Sequence, residues 1–278
     1  MDLWWTEQQT ADLRLDLRCA AVVERRRSRY QEIAIYDTLQ YGRLLALDDM
    51  VMTTIGDEFV YHEMLVHPAV TACPRPERVL IVGGGDGGAV RELCRHPGVR
   101  QIVLAELDAE VVDVCRRHLP EISGCLDDPR VEVRIGDAVD FVAGAADGAF
   151  DVILIDSPDP IGPAAALFGP EFYADCARVL APHGVLAAQS ESPYVFPKAL
   201  RQVQSSMRAH FPRVGLYWAA IPTYPSGMWT FSIASHGTAL QGAETLPHLP
   251  TRYWSPEVQR AAFAVPPFVR EVLAGDAP

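Results

Sequence analysis

Residues Val79 to His96 read VLIVGGGDGGAVRELCRH. Four apolar residues run straight into a glycine cluster, and a helix-forming segment follows. A buried strand that feeds a helix through a tight turn is a building unit of an α/β sheet. Gly83, Gly85 and Gly88 satisfy G-x-G-x-x-G, and the acidic pair Glu106 and Asp108 stands about 20 residues on, the fingerprint of a dinucleotide site. Asp86 complicates that reading, because it sits inside the turn where a pyrophosphate would lie.

The rhythm of strand and helix continues through the chain. QIVLAELD, VEVRIGDAVDFV, FDVILIDSP and VLAAQSESP predict further strands. AEVVDVCRRHLP and PEFYADCARVLAPHG predict helices, the second closed by His183 and Gly184. Apolar strands alternating with amphipathic helices predict a parallel sheet covered by helices on both faces. Residues 1–65 read differently. LRLDLR, YQEIAIYDT and GRLLALDDMVMTT carry a partial period of two, which predicts a small β-stranded domain ahead of a catalytic domain over 66–278. A basic run, ERRRSRY at Glu24 to Tyr30, interrupts it as a solvated strand face or a contact with a partner subunit. The tail from Gly237, rich in proline and aromatics, is expected to pack along the surface.

Ligands on such sheets bind at the carboxyl ends of the strands. Here those ends carry Asp86, Glu106 with Asp108, Asp137, Asp156 with Asp159, and Gln189 with Glu191, and no lysine or arginine. A pyrophosphate wants backbone N–H groups and no nearby anion. At 4 Å, two like charges cost about 4 kcal/mol at an effective dielectric of 20. The carboxylates suit instead a nucleoside that carries positive charge. Glu106 can accept from two ribose hydroxyls, Asp137 can take an adenine amino group, and Asp86 can hold an amine or face a sulfonium. That is the arrangement used for S-adenosyl compounds. The pair in DSPDP, Asp156 and Asp159, can orient an amine and remove its proton. An alkylamine needs this help, since with a pKa near 10 it arrives protonated.

The net charge of −12 argues against nucleic acid, whose binders carry a basic surface. No apolar run approaches the roughly 18 residues of a membrane span, and the start MDLWWTEQQT shows no signal peptide, so a cytoplasmic protein is expected. The six cysteines have no metal-ligand spacing, and no metal is expected.

These residues resemble the polyamine aminopropyltransferase family, spermidine synthases above all. The resemblance rests on GGGDGG followed by RE, DDPRVEV, DVILIDSPDPIGPA, LFGPEFY, ESP and IPTYPSGMWTFSIAS. It extends to LWWTEQQT, YQEIAIYD, GRLLALDDMVMTT and DEFVYHEMLVHP near the start and to RYWSPEVQRAAFAVPPFVREVL near the end. It implies a Rossmann-like, methyltransferase-type doubly wound α/β sheet with a small N-terminal β domain, assembled as a homodimer or homotetramer. The implied reaction moves the aminopropyl group of decarboxylated S-adenosylmethionine, a co-substrate, to an amine and releases methylthioadenosine. By position, Gln31, Gly83, Gly85, Glu106, Asp137, Ala138 and Pro163 would contact the nucleoside, and Asp86 its aminopropyl amine. Tyr61, His62, Asp159 and Tyr224 would line the acceptor channel, and Asp156 would accept the proton. The sequence departs from the family pattern at Asp49, where many members carry glycine, at Met52, where many carry glutamine, and at Pro158. Putrescine is the expected acceptor. Cadaverine, agmatine and spermidine are alternatives within the same chemistry. A small-molecule methyltransferase and a non-catalytic polyamine-binding protein are alternatives of other classes.

Overall fold

The computed structural model describes residues 2–158, 162–241 and 249–275, the side chains of 162 and 163 aside. The chain opens with five strands: β1 (Leu3–Gln8), β2 (Arg14–Arg27), β3 (Glu32–Thr38), β4 (Gly42–Leu47) and β5 (Met50–Thr54). They form an antiparallel meander in the order of the chain. Asp48 and Asp49 make the turn between β4 and β5 with φ of 49° and 62°. This left-handed region suits glycine best and Asp better than most other residues, so Asp49 keeps the turn. The basic run does not interrupt the sheet. Glu24 to Arg27 are the last residues of β2, and Arg26 and Glu24 reach out of the meander to the second half of the molecule.

A helix, α1 (Glu58–Ala72), follows and runs across position 65. Nearly every residue on it is buried. It therefore shows no polar stripe, and its sequence carries no helical period. Beyond it lies a second sheet of β6 (Arg78–Gly83), β7 (Gln101–Glu106), β8 (Val131–Ile135), β9 (Phe150–Asp156), β10 (Leu180–Gln189), β11 (Arg213–Ala220) and β12 (Met228–Ser235). Their spatial order is β11-β12-β10-β9-β6-β7-β8. Five strands run parallel, but β12 runs antiparallel to both β10 and β11. The sheet is thus mixed, not parallel throughout. The α/β class stands: helices α2 (Gly88–Cys94), α3 (Ala109–His118), α4 (Pro120–Ser123), α5 (Ala138–Gly144), α6 (Pro170–Val179) and α7 (Pro197–His210) intervene between strands, and α8 (Pro256–Ala262) and α9 (Pro267–Ala274) form the tail. Helix α6 stops at Val179, short of His183 and Gly184. Pro182 disfavours helical backbone at Ala181, so the chain turns extended early.

Two apolar layers sandwich the second sheet. Val79, Ile81, Val152 and Leu154 face α1 and α2, while Leu80, Val82, Ile153 and Ile155 face α5 and α6. Strand residues of both parities are buried, as expected for strands covered on both sides. The meander packs Ile33, Ile35, Leu45 and Leu47 against Val111, Val114 and Cys115 of α3. An ionic clamp closes the edge of that contact. Arg26 reaches Glu110 at 3.2 Å and Asp113 at 3.3 Å, and Glu24 accepts from Arg117 at 3.0 Å. The clamp accounts for part of the basic run: it faces helix α3 of the same chain.

Candidate active site

The strand order reverses between β6 and β9, which lie side by side with Gly83 opposite Asp156. Open α/β sheets bind ligands in the crevice at such a point. A cavity of ≈ 340 Å³ lies there. The meander contributes Gln31, Leu45, Leu47, Met50 and Met52 to its lining. The second half contributes Tyr61, His62, Gly83–Asp86, Glu106, Asp137, Ala138, Asp156 and Tyr224.

The glycine turn after β6 leaves room for the protein's own side chains. A Cβ at Gly85 would sit 2.9 Å from Oε2 of Glu106, and one at Gly88 would sit 2.2 Å from the His62 ring. Two glycines of the fingerprint thus make space for a carboxylate and an imidazole. Glu106 accepts from the N–H of Gly85 at 3.1 Å and from that of Asp108 at 2.9 Å. Burial pushes its carboxyl up to about 7. Asp137 caps α5, accepting from the N–H of Val139 at 2.8 Å, with Ala138 beside it at the first helical position. Gln31 donates from Nε2 to Asp108 at 3.1 Å, and Ser28 donates to the same carboxylate. The sequence reading named Gln31 but not these anchors; Asp108 appeared there as part of the acidic pair at the end of the second strand, not as a support for Gln31.

Asp86 accepts from the N–H of Gly88 at 2.8 Å through Oδ1 and faces Nε2 of His62 at 3.4 Å through Oδ2. Burial alone would raise its pKa, but His62, the N–H of Gly88 and Arg91 together outweigh burial and lower it. The other ring nitrogen of His62 lies 2.7 Å from Glu58. Next to His62 on α1, Tyr61 donates to Oδ1 of Asp156 at 2.7 Å. Among the described residues, Oδ2 of Asp156 is buried without a hydrogen-bond partner. Burial pushes this carboxyl up to about 6, with nearby Asp86 adding to the rise and His62 and Tyr61 opposing it. Tyr224 stacks obliquely on Tyr61 at 5.7 Å and donates to the carbonyl of Met52 at 2.5 Å. Met52 thus joins the wall through its backbone as well as its side chain. Asp159 lies outside the described residues, as does the side chain of Pro163.

His62, Asp86 and Asp156 offer ligand atoms that all lie within 4.8 Å of one another. Such a cluster attracts a cation. His62, however, meets a carboxylate at each ring nitrogen, which leaves an imidazolium with no lone pair for a metal. The group fits an organic cation that donates hydrogen bonds. A smaller cavity adjoins the first past Met52, Tyr61 and Tyr224, and is lined by Glu7, Gln189 and Trp229. Glu7 is buried on β1 and accepts from the N–H of Val51 at 3.3 Å. It is a site candidate that the sequence reading missed. Its only signal was a lone acid on a strand that reads LWWTEQ.

Known proteins share this architecture over nearly the whole chain. The spermine/spermidine synthase domain matches residues 58–241, and the spermidine synthase tetramerisation domain matches 3–54. The polyamine aminopropyltransferase of Moorella thermoacetica is 43% identical, over 98% of this chain and 96% of its own length. That of Thermoanaerobacter pseudethanolicus is also 43% identical, over 98% and 99%. A crystal structure of spermidine synthase in complex with the transition-state analogue AdoDATO superimposes with a TM-score of 0.94 at 36% identity, covering 98% of this chain and 95% of that one. Spermidine synthase from Thermotoga maritima superimposes with a TM-score of 0.92 at 36% identity, covering 98% and 94%. With both halves matched and the sheets superimposed, the chain belongs to the spermine/spermidine synthase family and is a polyamine aminopropyltransferase.

Proposed function

We propose that this enzyme transfers the aminopropyl group of decarboxylated S-adenosylmethionine to putrescine, giving spermidine and methylthioadenosine. The observation that carries the reading is the separation of two carboxylates with different environments. Asp86 is paired with an imidazolium, and Asp156 has an oxygen without a partner among the described residues. The first is suited to hold a cation throughout the reaction. The second is suited to take a proton during it.

In this reading Glu106 binds the ribose hydroxyls, and Asp137 and Ala138 meet the adenine. Gln31 and Pro163 complete the nucleoside contacts, and the glycine turn at Gly83 and Gly85 lets it lie close. Asp86, paired with His62 behind it, faces the aminopropyl ammonium. The acceptor amine enters past Tyr61, Tyr224 and Asp159, and Asp156 removes its proton. The freed nitrogen lone pair attacks the methylene beside the sulfonium. The carbon–sulfur bond breaks, and its electrons neutralise the sulfur. A neutral thioether leaves, so no general acid is required. The protein contributes alignment and deprotonation.

Intact S-adenosylmethionine would bring a carboxylate toward Asp86. That opposition, about 4 kcal/mol for a pair 4 Å apart at a dielectric of 20, weighs against a methyltransferase. Glu7 in the adjoining cavity offers a second anion for the far ammonium of a diamine, which favours putrescine over a monoamine. A homodimer or homotetramer built on the N-terminal meander, in the cytoplasm, completes the proposal.

The test is turnover of decarboxylated S-adenosylmethionine with putrescine, cadaverine, agmatine and spermidine in parallel. The highest kcat/KM is expected with putrescine, with methylthioadenosine released in equal amount to spermidine. A higher kcat/KM with another amine would reassign the acceptor. Methyl transfer from intact S-adenosylmethionine, with no aminopropyl transfer, would overturn the reading.

A further inference from the structure

Five charged side chains of alternating sign run from the interior to the cavity. Glu92 of α2 bonds Arg91 at 2.8 Å. Arg91 grips Glu58 with both terminal nitrogens, each at 2.8 Å. Glu58 lies 2.7 Å from Nδ1 of His62, and Nε2 of His62 lies 3.4 Å from Asp86. Glu58 and His62 are buried, and Arg91 is nearly so. Of the five, Asp86 and His62 line the cavity.

We propose that Glu58, itself oriented by Arg91, is a positioning residue that keeps His62 as the cation on which Asp86 is aimed. Neither ring nitrogen of His62 faces a donor; each faces a carboxylate. A neutral imidazole would turn a lone pair toward one of them. Glu58 and Asp86 together thus require N–H at both nitrogens. Burial by itself would drive the ring neutral, but the two carboxylates outweigh it and raise its pKa well above the usual value. Asp86 contributes the larger part of that effect, and Glu58 adds to it from a position away from the cavity lining. The alternation also explains why the cavity wants a cation: an ammonium beside Asp86 becomes the next link. The other titratable groups that face this chain are His67 on α1 and Arg95 at the end of α2, which meet Glu92 at 3.2 and 2.9 Å, together with Tyr61 on α1, Asp156 on β9 and Cys115 on α3. None of these can replace Glu58 at Nδ1, since that nitrogen is already taken up on the helix's own face at i and i+4.

The inference rests on the proposed reading of Asp86 as the amine site, and the experiment separates the two. Affinities of decarboxylated S-adenosylmethionine and of methylthioadenosine, which lacks the aminopropyl amine, are measured by calorimetry on wild type and Glu58→Gln. Wild type should prefer the amine-bearing nucleoside. Glu58→Gln should lose that preference by roughly tenfold or more, with methylthioadenosine affinity kept. An unchanged preference in Glu58→Gln would overturn the inference alone. A loss shared equally by both nucleosides would make Glu58 merely structural and overturn it too. A wild type with no preference would remove the amine-site reading, and the inference with it. A second measurement does not depend on the variant folding. In wild type labelled with 15N-histidine, with His62 assigned by its absence in His62→Gln, both ring nitrogens should remain protonated at pH 8. A neutral His62 ring at that pH would overturn the proposal.

Discussion

The two carboxylates at the reversal point differ in kind, and substitution should separate them. Asp156 is the last residue of β9 and is fixed by Tyr61. On the proposed mechanism, Asp156→Asn keeps its shape and removes the base. It should lower kcat by about 100-fold or more, the usual size of a lost general base, and leave nucleoside affinity nearly unchanged. Steady-state kinetics with calorimetry would check this, and near-normal kcat in Asp156→Asn would defeat the assignment. The pH dependence follows from the same residue. Its carboxyl is raised from 3.8 to about 6, so wild-type activity should fall as pH drops through about 6. Stability should move the other way. Asp156 and Glu106, raised to about 7, hold more protons folded than unfolded across the acid range. Their contribution to stability is therefore lost as pH rises through that window. Glu92, lowered to about 2 against burial by His67 and Arg91, does the reverse and loses its contribution only in strong acid.

At the scale of elements, helix α1 organises more than its sequence shows. It carries Tyr61 and His62 to the cavity, with Glu58 behind His62. Its Glu63 turns outward to accept from the N–H groups of Arg252, Tyr253 and Trp254 at 2.8, 2.7 and 2.7 Å. One buried carboxylate thus docks the C-terminal tail. Glu63→Ala should cost about 2–4 kcal/mol, since hydrogen bonds to a charged group are worth more than neutral ones and three backbone donors lose their partner. Urea unfolding would measure the loss, and limited proteolysis should cut the variant first near residues 249–255. A variant as stable and as resistant as wild type would exclude this role for Glu63. Helix α1 also marks where the sequence was hardest to read. Buried on all sides, it lacks the apolar stripe that identifies α3. Strand β12 was likewise unreadable as to direction, because antiparallel and parallel central strands are equally apolar. The strand ends were legible: Asp86, Glu106 and Asp156 converge on one cavity because parallel strands finish at one edge. The supports were not. Arg91 and Asp108 act through contacts between elements that no spacing in the chain encodes, and the i, i+4 pair of Glu58 with His62 lies on a helix whose sequence shows no period.

At the scale of the whole molecule, the cavity is built by two sheets. Gln31, Met50 and Met52 close it from the meander, and the strand ends of the second sheet close it from below. The sheets meet through the packing on α3 and the clamp of Arg26 with Glu110 and Asp113. A nucleoside seated there touches both, so it adds its own free energy to their apposition. At 100 times its Kd, methylthioadenosine should add about 2.7 kcal/mol to the folded state. For a chain of this size the melting temperature should then rise by roughly 5 °C or more. Any separate melting of the meander should merge into a single transition. A calorimetric scan in which ligand shifts one transition and leaves another in place would show that only one sheet holds the nucleoside. On the proposed reading the substrate is a temporary third layer of the fold, and each release of product returns the two sheets to the weaker bond they make alone.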